Sequence, residues 1–225
     1  MTKTNQPASE VKTSDEDFDV ENLMDTIRTH SREFTIGAIA VIAIGGGLFL
    51  WRQSSLQKEA RAEQALNDAT FAIQSGNRPL AMADLGKVIE RYRDTPAGVE
   101  ASLISAQLSF EDAKYDDGVK VLEAVKKSSA ITNFAAEVDG LIGGAYADQK
   151  KYDAAAKQYL AAADESKFQA MKDFYQADAA RVLAIAGKKD EARKLWEGIA
   201  SRPDSPALGE AKVRLGELTA APAKN

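Results

Sequence analysis

The alternation of apolar and polar positions divides the chain into three regimes. From Phe34 to Trp51, 18 consecutive residues carry no charge, bracketed by Arg32–Glu33 and Arg52. This run is apolar all round rather than striped at a period of 3.6, so it needs burial on every side, in protein or in lipid. As a helix rising about 1.5 Å per residue it reaches about 27 Å, near the hydrocarbon thickness of a bilayer. Phe34 and Trp51 stand at its two ends, where aromatic rings favour the membrane interface. The downstream helices are small and amphipathic, poor material for enclosing such a segment, so the expectation is a transmembrane anchor over 34–51. An export signal needs a short basic lead and a small-x-small cleavage site. Here the lead is 33 residues long and acidic, and "WRQSSLQ" offers no such site, so the anchor is expected to be uncleaved.

Upstream lies a polar stretch, residues 1–17, with no large apolar residue but Met1 and Val11, expected to be disordered. In "DVENLMDTIR", Val20, Leu23, Met24 and Ile27 then recur at i, i+3, i+4 and i+7, predicting an amphipathic juxtamembrane helix within 18–33. It would lie on the membrane surface or serve as a small docking element. Residues 221–225 are expected to be disordered.

Downstream, residues 53–220 repeat themselves with a period of 37. A small residue recurs at Ala81, Gly118, Ala155 and Ala192. Four residues later come Leu85, Leu122, Tyr159 and Trp196, and three further on Val88, Val125, Ala162 and Ile199. A preceding apolar helix carries Ala69, Ala106, Gly143 and Ala180 in register. Four copies at one spacing predict an array of helical hairpins, each burying its apolar face only by stacking on its neighbours. "DSPALGEAKVRLGELTA" supplies a closing helix over 206–218, with Glu210, Lys212, Arg214 and Glu217 as a solubilising face. The fold class is therefore all-α: one transmembrane helix, then a solenoid of about four hairpins and a capping helix.

Composition narrows the chemistry. Alanine is abundant and proline scarce, which favours helix. Cysteine is absent and His30 is the single histidine, excluding disulfides, thiolate sites and any centre that needs two imidazoles. The net charge of −5 is spread over both signs, without the basic patch of a nucleic-acid binder. "GGG" at 45–47 and "GG" at 143–144 lack the Gly-Lys-Ser/Thr of a phosphate loop. "SDEDFD" lacks the spacing of a calcium loop. Tyr115 and Tyr152 fall at hairpin corners, and Tyr159 and Trp196 at packing positions. No catalytic constellation, metal site or cofactor motif emerges, so the chain is expected not to be an enzyme.

The third hairpin, "LIGGAYADQKKYDAAAKQYLAAAD", resembles a tetratricopeptide repeat. Ile142 and Gly143 match the leucine-glycine pair of that family, Tyr146 its first-helix tyrosine, and Ala155, Tyr159 and Ala162 its second-helix pattern. Earlier hairpins depart from it, with Ala106 and Ser109 in place of glycine and tyrosine and a period of 37 rather than 34. The layout of acidic juxtamembrane helix, anchor ending in "LFLWRQ" and repeat domain is similar to that of the YfgM-type ancillary subunits of the bacterial SecYEG translocon. That resemblance implies an inner-membrane protein with a cytoplasmic amino end and periplasmic repeats, partnered by translocon subunits, periplasmic chaperones and exported chains. Charge bias alone leaves orientation open. Arg28 and Arg32 precede the anchor and Arg52, Lys58 and Arg61 follow it, an excess of one that points weakly the other way.

In arrays of this kind the partner-binding groove is lined by first-helix positions, here Gln107, Phe110, Glu111, Asp148, Phe174 and Arg181. Within the anchor, Ala40, Ala43 and Gly47 share one face, with Ala43 and Gly47 in small-xxx-small spacing, a candidate surface for packing on another membrane helix. The function expected is binding and tethering of protein partners near the translocon. The rivals are an envelope scaffold for assembly or division and an enzyme with an unfamiliar site.

Overall fold

The computed structural model describes residues 31–219. The tail, the juxtamembrane helix before Ser31 with His30, and residues 220–225 lie outside them. Every regular element among the described residues is helical: α1 (Ser31–Gln74), α2 (Arg78–Tyr92), α3 (Pro96–Glu111), α4 (Tyr115–Val125), a 3-10 turn (Ile131–Asn133), α5 (Ala135–Asp148), α6 (Tyr152–Glu165), α7 (Gln169–Ile185), α8 (Lys189–Ala200) and α9 (Leu208–Thr219). The chain divides into two compact units between Ser54 and Ser55.

In the first unit, the apolar run is helical throughout, as part of α1. It is long and apolar enough to cross a membrane, and none of its most apolar 18-residue window is buried by protein.

In the second unit, the end of α1 pairs with α2, α3 with α4, α5 with α6 and α7 with α8, and α9 closes the series. The turns within these hairpins follow one backbone solution. Gly76, Ala113, Lys150 and Gly187, spaced by 37, all have positive φ, between 58° and 82°. Each N–H donates to the carbonyl three residues back, and the next N–H reaches five back: Asn77 to Ala72, Lys114 to Ser109, Lys151 to Tyr146 and Lys188 to Leu183, at 2.8–2.9 Å. This double bond satisfies orphan carbonyls at the helix end and reverses the chain. Glycine takes the left-handed conformation freely, whereas Ala113 and Lys150 hold it against a steric penalty.

Between hairpins the signals differ. Thr95 caps α3 by accepting from the Gly98 N–H at 3.1 Å, with Pro96 opening the helix. There α2 and α3 approach so closely that a Cβ on Gly98 would lie 2.0 Å from the Tyr92 carbonyl oxygen. Helix α4 stops earlier than its counterparts, and a longer connection through the 3-10 turn leads to α5. Ser128 is buried in that connection, donating to the Arg93 carbonyl at 2.7 Å and accepting from the Ala130 N–H at 3.1 Å.

The core follows the period. Leu85, Leu122 and Trp196 are almost wholly buried, as are Ala81, Ala155 and Ala192 beside them. Three apolar clusters run along the array. The first joins Leu66 and Ala69 of α1 to Leu85, Val88 and Ala101. The second joins Leu103 and Ala106 to Leu122, Val138 and Ile142. The third joins Ala156, Ala180, Leu183, Trp196 and Ile199 to Ala211 of α9. At about 1.5–3 kcal/mol for each large side chain withdrawn from water, these contacts are the main favourable term.

Candidate functional site

The same register that buries one stripe of each first helix leaves the opposite stripe exposed or half-buried. In α3 it carries Glu100, Ile104, Gln107 and Glu111, in α5 Glu137, Leu141, Gly144 and Asp148, and in α7 Phe174, Asp178, Arg181 and Ile185. All twelve are exposed or half-buried. Five are carboxylates and one, Arg181, is a cation.

Five of the six groove residues expected from the sequence fall on these stripes, and Phe110 does not. Its ring stacks on Tyr115 with centroids 6.1 Å apart and packs against Gly118, where a Cβ would come within 2.3 Å of it. Phe110 therefore fills the inside of its own hairpin. Glu111 is exposed but pairs at 2.8 Å with Arg78, which also reaches Asp112 at 3.0 Å and the Leu108 carbonyl. That arginine ties the first hairpin to the second. Gln107 and Asp148 face solvent, and Phe174 is 46% exposed.

Arg181 is not free for a ligand. It donates to both carboxylate oxygens of Glu210, at 2.7 and 2.5 Å, and to Asp178. The hydrogen bond from Arg181 holds the Glu210 carboxyl below its ordinary range, while burial pushes Asp178 up. Burial, reinforced by the charges of Asp178 and Asp148, pushes the Tyr159 hydroxyl up to about 12. The cluster joins α6, α7 and α9 and fixes the closing helix. Beside it a cavity of about 520 Å³ opens between Arg181, Trp196, Arg214 and Leu218.

Two polar devices had no periodic signal. Asp173, 1% exposed, accepts from Arg202 at 2.6 Å and from Gln169 at 2.8 Å. Burial opposes its charge, but hydrogen bonds from Ser205, Arg202 and Gln169 outweigh that and hold its pKa below the ordinary value. Asp139, 5% exposed, pairs with Lys126 at 2.7 Å and clamps the long connection between the second and third hairpins.

Among the described residues, no group of three or more histidine, cysteine, aspartate or glutamate side chains is arranged to hold a metal ion. Ala40, Ala43 and Gly47 are all exposed on α1.

Comparisons with known proteins agree with this architecture. No curated protein sequence is recognisably similar to the chain. A solved structure of nearly identical TPR-like repeats, from a candidate kinesin light chain of Podosopora anserina, superposes with a TM-score of 0.54 at 16% identity, covering 71% of this chain and 86% of that one. A variant of the same repeat protein gives the same score and identity over 71% and 85%. At that identity the likeness is one of fold. Residues 28–212 match the family described as tetratricopeptide repeat-like domain, and the chain belongs to that family.

Proposed function

We propose that the protein is a membrane-anchored tetratricopeptide-like adaptor that holds protein partners near the Sec translocon and assists the handling of exported chains. It sits in the inner membrane with its amino end cytoplasmic and its repeats periplasmic. One observation carries the adaptor reading: the chain has both an apolar helical run that none of its described residues buries and a repeat array with a partly exposed first-helix face. On this reading lipid supplies the burial that such a run needs. Tethering then raises the effective concentration of the array around any membrane partner. The link to the translocon rests on the likeness of layout to the YfgM-type subunits. The partners on this reading are translocon subunits, periplasmic chaperones and the exported chains themselves.

Purification of the full chain in mild detergent tests it. Translocon subunits should accompany the protein. Their absence together with enrichment of cell-wall enzymes replaces this reading with an envelope scaffold. Orientation is tested with a single cysteine and a membrane-impermeant thiol reagent. Ser128 is unsuitable because it is buried and bonded, whereas Ser129 beside it is exposed. Ser129→Cys should label once the outer membrane is permeabilised. Labelling only after lysis puts the array in the cytoplasm and overturns the proposed orientation.

A further inference from the structure

At the start of α7 the array exposes more apolar surface than folding requires. Phe168 is 73% exposed, Met171 42% and Phe174 46%, and they follow one another at i, i+3 and i+6. Contiguous exposed apolar patches on a soluble surface mark interaction sites. Phe168, Met171 and the half-buried Tyr175 also wall a cavity of about 190 Å³ between the 3-10 turn, the start of α5 and the start of α7. Two carboxylates, Glu137 of α5 and Glu165 of α6, stand on the same cavity.

Two lysines stand near this cavity, Lys167 in its lining and Lys126 beside it. Lys167 donates to Asn133 Oδ1 at 2.7 Å and Lys126 pairs with Asp139 at 2.7 Å. Neither Glu137 nor Glu165 forms a salt bridge among the described residues. The Glu137 charge acts on Tyr175, where it adds to burial in raising the pKa of the hydroxyl. The cavity thus combines aromatic walls with two carboxylates against one lysine, Lys167, in its lining, an excess of one negative charge. That chemistry suits a cation on a long apolar stem, which ring faces attract and carboxylates bind.

We infer that this cavity is a docking point for an arginine side chain of a bound polypeptide, with Phe168, Met171 and Tyr175 around its stem and guanidinium and with Glu137 and Glu165 taking its charge. Phe174, one turn further on, receives a neighbouring apolar side chain. Arginine suits the site better than lysine because its planar head stacks on rings and meets carboxylates in a fork. The inference rests on the polypeptide-binding reading above and specifies what one part of that face recognises.

The test uses the full chain in detergent micelles and a fluorescein-labelled peptide, Gly-Ser-Arg-Leu-Arg-Ser-Gly, read by fluorescence anisotropy. A matched peptide carries citrulline, the uncharged isostere, in place of both arginines. The arginine peptide should bind at least tenfold more tightly than the citrulline peptide. The double variant Glu137→Gln/Glu165→Gln, which alters two exposed side chains, should abolish that preference, and Phe168→Ala should weaken the arginine peptide severalfold. An unchanged thermal melt of each variant confirms that it folds. Equal binding of the two peptides, no binding of the arginine peptide, or a preference that survives the double variant overturns the inference. Co-purification of translocon subunits with the full chain is read separately, so the adaptor reading stands where this docking point falls.

Discussion

At the residue scale, the left-handed corners give the sharpest expectation. Ala113 and Lys150 occupy a conformation that glycine takes at the equivalent positions 76 and 187. Relieving that penalty of about 1–2 kcal/mol is partly offset by the greater freedom of glycine in the unfolded chain. Ala113→Gly and Lys150→Gly should each stabilise by about 0.5–1 kcal/mol in urea unfolding, and Gly187→Ala should destabilise by a similar amount. Asp173 supplies a different test. Its folded pKa is lowered, so its contribution is fully present above the ordinary carboxylate value near 4 and is lost as pH falls through the folded value. Asp173→Asn should cost about 2–3 kcal/mol at pH 7 by weakening the pairing with Arg202. The gap from the wild type should narrow below pH 4. A gap independent of pH would mean that the carboxylate charge plays no part.

At the element scale, the sequence showed some features and hid others for physical reasons. The positions Ala81 to Ala192 and Leu85 to Trp196 were legible because burial selects residue type at a fixed spacing. So was the closing helix, expected over 206–218 and found at Leu208–Thr219. The inward turn of Phe110 was not legible, because stacking on Tyr115 depends on rotamers rather than on period. The Asp173–Arg202 and Asp139–Lys126 pairs were equally hidden, since each occurs once and neither recurs at 37. The left-handed corners left a partial trace in Gly76 and Gly187, which Ala113 and Lys150 obscured. Within α1, Gly47→Leu fills a position where the structure holds nothing within 4 Å. If the Ala40, Ala43 and Gly47 face packs on a partner's membrane helix, this substitution should reduce co-purification severalfold while the protein stays in the membrane fraction. Unchanged recovery would leave that face without a packing role.

At the scale of the whole molecule, the array is a chain of neighbours, and its stability should depend on how it is closed. Trp196 is 1% exposed and shares its cluster with Ala207 and Ala211, with Leu215 and Leu218 packed against it. A chain that ends after Ser205 loses those contacts and the Glu210 bonds to Arg181. The loss should be about 3–4 kcal/mol, and tryptophan emission should shift to the red as Trp196 meets water. An unshifted spectrum would show that α8 shields the ring without α9.

The corners at Gly76, Ala113, Lys150 and Gly187 also bear on how such a chain can lengthen. Each is the same joint, so a segment cut at one and rejoined at the next enters and leaves with matching backbone direction. Lys188 meets Asp153 at 2.9 Å and Lys151 meets Asp116 at 3.8 Å, two rungs set one repeat apart. A second copy of residues 114–150 spliced after Lys150 would therefore arrive with its own joint and its own rung. The molecule is in this sense already divided into segments with a common joint.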